Sequence, residues 1–343
     1  MAKKIAIIGH FGGNETFLDG QTVKTKVLCA EFEKTGNYDV YRVDTYYKKH
    51  NPVKLLWQTF RALLFRDDVF VLLSRGGMKI YFPLLYYVTK FRRINVYHDV
   101  IGGNLDAYVK KNPKLRKYLN AFDINWVETQ SMKKKLKDLG VTNAEVLPNF
   151  KNLQSVSATE YTEPVCHFCT FSRVMKEKGI EEAVQIVNRI NEKYGRTVCS
   201  LDIYGAIDNG YTEEFEKLKK FFGDVIKYGG LVPFADSVSV LKNYYALLFP
   251  TFWDGEGFPG TILDAYASAI PVIASDWNYN RELVNHMKTG LIYPEGELSN
   301  LYEAVKWSIE HRSEMNSMRQ NCAEEYLKYK PETVMSVIEN KLK

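Results

Sequence analysis

The sequence predicts an α/β chain made of two doubly wound units, each built around a parallel sheet. Three observations point there. The 343 residues exceed what one domain usually holds. Short apolar runs alternate with amphipathic segments, the pattern of strands joined by crossover helices. That pattern restarts after Asn149.

Residues 4–9 read as the first strand, with Ile5 to Ile8 as its apolar centre. This run is too brief for the core of a signal peptide. A Gly-containing loop follows, then a helix over 21–34 and a strand over 38–43. Asn51 and Pro52 look like an N-cap with proline at the first helical position, opening a helix to about residue 66. Residues 69–74, 94–97, 126–128 and 145–147 read as further strands. The second half gives strands at 165–171, 200–204, 225–228, 246–249, 271–274 and 290–292, with a helix over 180–194. The tail, 331–343, looks helical. The expected domains are residues 1–152, residues 153–325 and a C-terminal helical segment, 326–343.

Composition excludes several classes. A hydrophobic fraction of 45% and a charged fraction of 25% are ordinary for a globular protein. No apolar run approaches the roughly 18 residues that span a bilayer, so a cytosolic chain is expected. Five cysteines, an odd number at irregular spacing, suggest no disulfide framework. Cys166 and Cys169 fall on one expected strand, where they face opposite sides, so they read as buried structural residues rather than zinc ligands.

Charge is uneven. Residues 1–150 carry 25 Lys and Arg against 14 Asp and Glu, a balance of +11, and the remainder carries 21 against 27, a balance of −6. The two halves should meet different partners. Within the basic half, the helix opening at Pro52 has an apolar face of Val53, Leu56, Trp57, Phe60, Leu63 and Leu64, with Lys54 and Arg61 beside it. Such a face either packs on the domain's own sheet or lies on an anionic membrane surface. Clusters at Lys110, Lys111, Lys114, Arg116 and Lys117, and at Lys133, Lys134, Lys135 and Lys137, add positive charge. No recognisable nucleic-acid module accompanies them.

Ligands of parallel α/β sheets bind beyond the carboxyl ends of the strands. The loops to search are therefore Gly12-Gly13, residues 74–77, 98–103, 173–179 and 254–261. The last of these belongs to the most informative stretch. An apolar strand runs into an acidic, Gly-rich loop carrying Glu256, then into a helix carrying Asp264. Backbone N–H groups at that helix start make an anion site, and the two carboxylates can accept hydrogen bonds from sugar hydroxyls. The loop after the strand at 165–171 carries Arg173 and Lys178, a planar fork and a point charge suited to a diphosphate. The bland readings are a solvated loop and a solvated charge cluster. Gly9, Gly12 and Gly13 lack the spacing of a dinucleotide fingerprint. His98 follows a strand, where it is either a buried histidine or part of a cleft lining.

Taken together, Arg173…Lys178-Gly179, Glu256…Asp264, Gly12-Gly13, His98 and Pro148-Asn149 resemble family 4 of the glycosyltransferases over nearly the whole chain. The resemblance implies the GT-B fold, two Rossmann-like domains facing across a cleft, with the C-terminal helix packing back on the N-terminal domain. It implies a retaining glycosyltransferase of cell-surface polysaccharide or glycoconjugate synthesis that needs no metal or other cofactor. The first domain would take a saccharide acceptor, lipid-linked in many relatives, and the second a nucleotide-sugar, with a UDP-sugar favoured. Arg173 and Lys178 would hold the diphosphate, and Glu256 the transferred sugar. Gly257, Phe258, Pro259, Gly260 and Thr261 would form the turn whose backbone N–H groups assist. Asp264 would bind the ribose, and His98 would sit against the donor sugar. Gly12 and Gly13 would pass near the phosphates. The base would lie near Tyr204, Gly205, Leu231 and Val232. Location would be cytoplasmic, at the inner face of the membrane if the basic half docks there. The chain departs from the family at Asp264, where Glu is usual, and at Ser172, where Gly is frequent. Two rivals keep the same fold: a sugar-nucleotide epimerase and a non-catalytic partner subunit.

Overall fold

The computed structural model describes residues 2–15 and 19–342. The chain forms two compact units, Met1–Asn152 with Pro331–Lys343, and Leu153–Lys330. The first contains β1 (Lys3–Gly9), α1 (Gly20–Lys34), β2 (Tyr38–Asp44), α2 (Tyr47–His50), α3 (Pro52–Phe65), β3 (Asp68–Val71) and α4 (Arg75–Phe91). It continues through β4 (Asn95–Asp99), α5 (Leu105–Lys111), α6 (Lys114–Leu119), β5 (Ile124–Val127), α7 (Gln130–Asp138) and β6 (Ala144–Val146). The second unit opens with β7 (Cys166–Phe171), α8 (Ile180–Tyr194), β8 (Cys199–Tyr204), α9 (Thr212–Leu218) and β9 (Ile226–Gly230). It goes on through α10 (Ser237–Leu241), β10 (Ala246–Phe249), α11 (Gly260–Ala267), β11 (Val272–Ser275), α12 (Asn280–Leu283) and β12 (Gly290–Tyr293). Helices α13 (Leu298–Glu310) and α14 (Arg312–Tyr326) complete it, and α15 (Pro331–Glu339) returns to the first unit.

Both sheets are parallel and six-stranded, in the orders β2-β1-β3-β4-β5-β6 and β12-β11-β10-β7-β8-β9. Helices cover both faces of such a sheet, so central strands read as continuous apolar runs rather than alternating ones. Ile5 to Ile8 of β1 are accordingly all fully buried. The helix starts are written locally. The Asp19 carboxylate accepts from the Thr22 N–H at α1, Asn51 accepts from Lys54 N–H at α3, and Thr129 accepts from Met132 N–H at α7.

In the first unit α1 and α15 share one face of the sheet. Leu28, Phe32, Val334, Met335 and Ile338 pack there with Ile5, Ile7, Phe70, Tyr97 and Trp126. Right-handed crossovers send α3 through α7 to the other face. In the second unit β7 separates two layers: Cys166 lies in the cluster with α8 and α13, and Cys169 in the cluster with α11 and α14. The five cysteines are free and buried, which agrees with their reading as core residues.

Two local expectations change. Residues 74–77 do not form a loop: Ser74 precedes α4, and Arg75, Gly76 and Gly77 are its first turn. The apolar face of α3 does not pack on the sheet. The residues that α3 buries are Thr59 and Ala62, while Val53, Leu56, Trp57, Phe60 and Leu64 are exposed. Small side chains let the helix lie close, and Thr59 is tied to α4 by a 2.8 Å hydrogen bond to the Tyr81 hydroxyl.

At the carboxyl end of the first sheet sits a buried cation. Lys24 of α1 donates to Asp99 Oδ1 (2.7 Å), Glu128 Oε1 (3.0 Å) and the Val100 carbonyl (3.2 Å). All three charged groups are almost wholly enclosed. Burial pushes the Asp99 carboxyl up to about 6, against the pull of Lys24. Removing one member of such a set leaves uncompensated buried charge. Lys24→Ala should therefore lower unfolding free energy by about 3–5 kcal/mol in a urea titration, whereas Lys26→Ala, on the exposed side of the same helix, should stay within about 0.5 kcal/mol.

Candidate active site

Strand order reverses beside β7: β8 and β9 lie on one side of it, β10 to β12 on the other. The loops that leave β7 and β10 therefore depart in opposite directions from adjacent strands and open a crevice between them, which is where open α/β sheets hold ligands. Those two loops are the ones that carry Arg173, Lys178 and Glu256.

Backbone contact fixes them to each other. Phe252 N–H donates to the Glu177 carbonyl (2.8 Å), and Thr251 Oγ1 donates to the same oxygen (3.2 Å). Gly179 makes the approach possible: at φ +70° it ends the short turn Lys176–Lys178, and a Cβ there would meet the Pro250 carbonyl oxygen at 2.2 Å. Gly205, at φ +140°, does the same for the loop after β8, since a Cβ would meet the Ser172 carbonyl oxygen at 1.8 Å. The β10 loop is braced from behind by Ser275 Oγ donating to the Thr251 carbonyl (2.6 Å) and Trp277 Nε1 donating to the Trp253 carbonyl (2.9 Å).

At the centre the Lys178 ammonium donates to Glu256 Oε2, and Thr251 Oγ1 lies 3.1 Å from the same oxygen, its one proton shared between Glu256 and the Glu177 carbonyl. Lys178 is 8% exposed and Glu256 5%. The ammonium lies 4.7 Å from the centroid of the Trp253 ring, a further cation contact. Arg173 differs. Its side chain is 53% exposed and, among the described residues, pairs only with Asp208, at 3.6 Å, so little holds the guanidinium back from an anion. After Glu256, residues Gly257, Phe258 and Pro259 lead into α11, which begins at Gly260. Phe258 anchors this turn edge-on against Tyr329, with centroids 5.2 Å apart. Thr261 Oγ1 in the first turn of α11 is buried and has no hydrogen-bond partner among the described residues.

Tyr204, Gly205, Leu231 and Val232 gather around the end of β9. The Tyr204 ring lies against Gly229, where a Cβ would come within 2.1 Å of it. Its hydroxyl bonds that of Tyr244 (2.7 Å), which donates to Asp202 Oδ2 (2.6 Å). Gly205 N–H donates to the Gly230 carbonyl (2.9 Å), and Leu231 projects into solvent.

Two residues expected at the site are enclosed in this structure. Asp264 is 1% exposed and accepts from Ser237 Oγ (2.9 Å) at the start of α10. The carboxylate on α11 is one methylene shorter than Glu and stays beneath the surface. His98, in the first unit, is fully buried, bonded through Nδ1 to Asn125 (3.0 Å) and set edge-on to Phe82. Burial, reinforced by Lys24, holds its imidazole down to about 4, hence neutral at pH 7. Gly12 and Gly13 lie in the first part of the loop after β1, where Phe11 N–H and Gly13 N–H both donate to the Asp44 carboxylate (2.9 and 2.8 Å).

The sequence reading did not single out Thr251, Trp253, Asp208, Ser237 or Tyr244. Thr251 and Trp253 lie directly before the acidic loop, between β10 and Glu256. The other three carry no local signal, because they reach the site only through sheet order.

The family model described as glycosyl transferases group 1 matches residues 163–325, a span that holds Arg173, Lys178, Glu256 and Asp264. The D-rhamnosyltransferase WbpZ of Pseudomonas aeruginosa is 28% identical over 102 residues, which make up 29% of this chain and 27% of that relative's length. Among solved structures, Alr3699/HepE of Anabaena in complex with UDP and glucose superposes with a TM-score of 0.74 at 14% identity. Sucrose-phosphate synthase of Thermosynechococcus elongatus gives 0.78 at 15%, and the lipopolysaccharide outer core galactosyltransferase WaaB 0.70 at 15%. Each of the three alignments covers 98% of both chains. The fold is GT-B.

The geometry separates the two cations by their effect on stability. Lys178→Ala strands Glu256 without its buried partner and should cost about 3 kcal/mol in chemical denaturation. Arg173→Ala removes an exposed, loosely paired group and should stay within about 0.5 kcal/mol. Equal losses would mean that Arg173 is held more firmly than its 3.6 Å contact indicates.

Proposed function

We propose that the chain is a retaining glycosyltransferase that moves a sugar from a nucleoside diphosphate sugar to an acceptor hydroxyl without a divalent ion. The observation that carries this reading is the meeting of Lys178 and Glu256 at the strand-order reversal, with the exposed fork of Arg173 on the same loop.

In the proposed reaction the bond from the anomeric carbon to the diphosphate breaks, and negative charge grows on the leaving phosphate. Arg173 swings from Asp208 to that phosphate. Lys178 divides its protons between the phosphate and Glu256. Lys178 is already in place before the reaction, and both cations act more strongly on the developing charge than on the bound donor. The N–H groups at the start of α11 face the same region. Glu256, oriented by Thr251 and Lys178, accepts from hydroxyls of the transferred sugar. The acceptor oxygen attacks the face that the diphosphate leaves, and the leaving phosphate takes its proton. Leu231, Val232 and the Tyr204 ring receive the base. Asp264 serves by fixing Ser237 and the first turn of α10, which follows that loop.

Support for a UDP-sugar comes from HepE, whose structures hold UDP, UDP-glucose, and UDP with glucose. WaaB, a lipopolysaccharide outer core galactosyltransferase, favours a saccharide acceptor of a surface polysaccharide.

Calorimetric titration with UDP tests the donor half. Wild-type protein should bind, and Arg173→Ala should weaken binding roughly tenfold to a hundredfold, the effect of losing one charge-assisted contact. Unchanged affinity would remove Arg173 from the site. With a productive donor and acceptor pair in hand, Glu256→Gln should lower kcat far more than it raises KM, because its contacts are made chiefly in the transition state.

Metal independence has its own test. Turnover should persist in excess EDTA, since Arg173, Lys178 and the helix start supply the charge that a divalent ion would bring. Loss of turnover that magnesium or manganese restores would overturn this part of the proposal.

A further inference from the structure

Helix α3 is amphipathic in the wrong sense for a helix that covers its own sheet. Val53, Leu56, Trp57, Phe60 and Leu64 recur at intervals of three and four and form one stripe. At 100° per residue the buried positions, Thr59 and Ala62, fall on the opposite side of the helix. Trp57 is 60% exposed and Phe60 56%. A second stripe, Ile80, Leu84, Tyr87 and Phe91, runs along α4 with the same three- and four-residue spacing, and Phe91 is 90% exposed. The two helices are neighbours: besides the Thr59–Tyr81 bond, Arg92 at the end of α4 donates to the Leu63 and Arg66 carbonyls at the end of α3 (2.8 and 2.6 Å).

The charges around these stripes are of one sign. Residues 45–66 contain no Asp or Glu and five Lys or Arg, and residues 69–98 contain none and another five. Lys48, Lys49, Lys54, Arg61, Lys79 and Arg93 are exposed. The basic clusters of α5, α6 and α7 lie on the same face of the sheet, by the crossover rule given above.

We propose that the α3–α4 face is a docking surface for an anionic lipid bilayer, with the two apolar stripes seated among the acyl chains and the basic side chains on the headgroups. The chemistry selects this occupant. A basic amphipathic helix with aromatic and leucine residues on its apolar side lies in the plane of the interface, and Trp and Tyr favour the headgroup level. A second copy of the chain would pair this face with itself through a two-fold axis and set one basic fringe against another. Among the described residues no helix is long and apolar enough to cross a membrane, so attachment here is lateral. The proposal does not depend on the catalytic reading.

The test is co-sedimentation of the full chain with vesicles of phosphatidylcholine alone and of phosphatidylcholine with phosphatidylglycerol, at low and high salt. The fraction bound to anionic vesicles at low salt should exceed that on neutral vesicles by about tenfold or more and fall as salt rises. The double variant Trp57→Ser, Phe60→Ser should lose about tenfold or more of that binding while keeping the wild-type melting temperature, since neither side chain is buried. Lys48→Glu with Lys49→Glu should lose the preference for anionic vesicles. Trp57 fluorescence should be quenched by brominated lipid in the wild type and not in Trp57→Ser. Vesicle binding that survives the double variant, or an equal response to both lipids, would overturn the proposal. So would a wild-type dimer that the double variant dissolves without any vesicle binding, which would assign the face to a second copy.

Discussion

The pairing of β7 with β10 is the constraint on which the candidate site depends. Two parallel strands that lie side by side, yet are separated by β8 and β9 in sequence, can be joined only by crossovers that turn opposite ways. Their loops must then diverge and leave a crevice. Everything in the site is a use of that gap. Gly179 and Gly205 let neighbouring backbones come close at its floor, Thr251 and Phe252 tie one rim to the other through the Glu177 carbonyl, and the Lys178–Glu256 pair closes the centre.

That pair has two characters. Buried opposite charges contribute little net stability when both are present, because desolvation offsets most of their attraction, yet each makes the loss of the other costly. A site built this way keeps a cation and an anion in register before any ligand arrives. Arg173, outside the enclosure, is the complementary device: its loose contact with Asp208 costs little to break. One cation is held in place and the other is free to move, on loops that a single strand pairing brings together.

How far the sequence could be read follows from the same physics. Strands buried on both faces announce themselves as apolar runs, and β1, β7 and β10 were legible for that reason. The motif residues were legible because loops after strands are short and carry unusual charge. Helix α4 was hidden behind Gly76, Gly77 and Pro83, residues that argue against a helix locally and are overruled by packing of Met78, Phe82 and Leu85. The enclosure of His98 depends on Phe82 and Phe122, and that of Asp264 on Ser237, all partners distant in sequence. The direction of the α3 stripe was equally out of reach. Periodicity gives the angle of a face but not what it faces, and only the small pair Thr59 and Ala62 shows which side meets the sheet.

The return of α15 has a consequence for how the molecule is made. Val334, Met335 and Ile338 belong to the core around β1, β3 and β4, yet they follow the whole second unit along the chain. The intervening residues, Leu153–Lys330, form a continuous unit with its own core. On the ribosome the second unit can therefore finish folding while the first still waits with one flank of its sheet uncovered. The order of completion is the reverse of the order of synthesis, and a chain interrupted anywhere before residue 331 leaves Phe32, Phe70 and Trp126 without the helix that seals them, a target for chaperones and proteases that recognise exposed apolar surface.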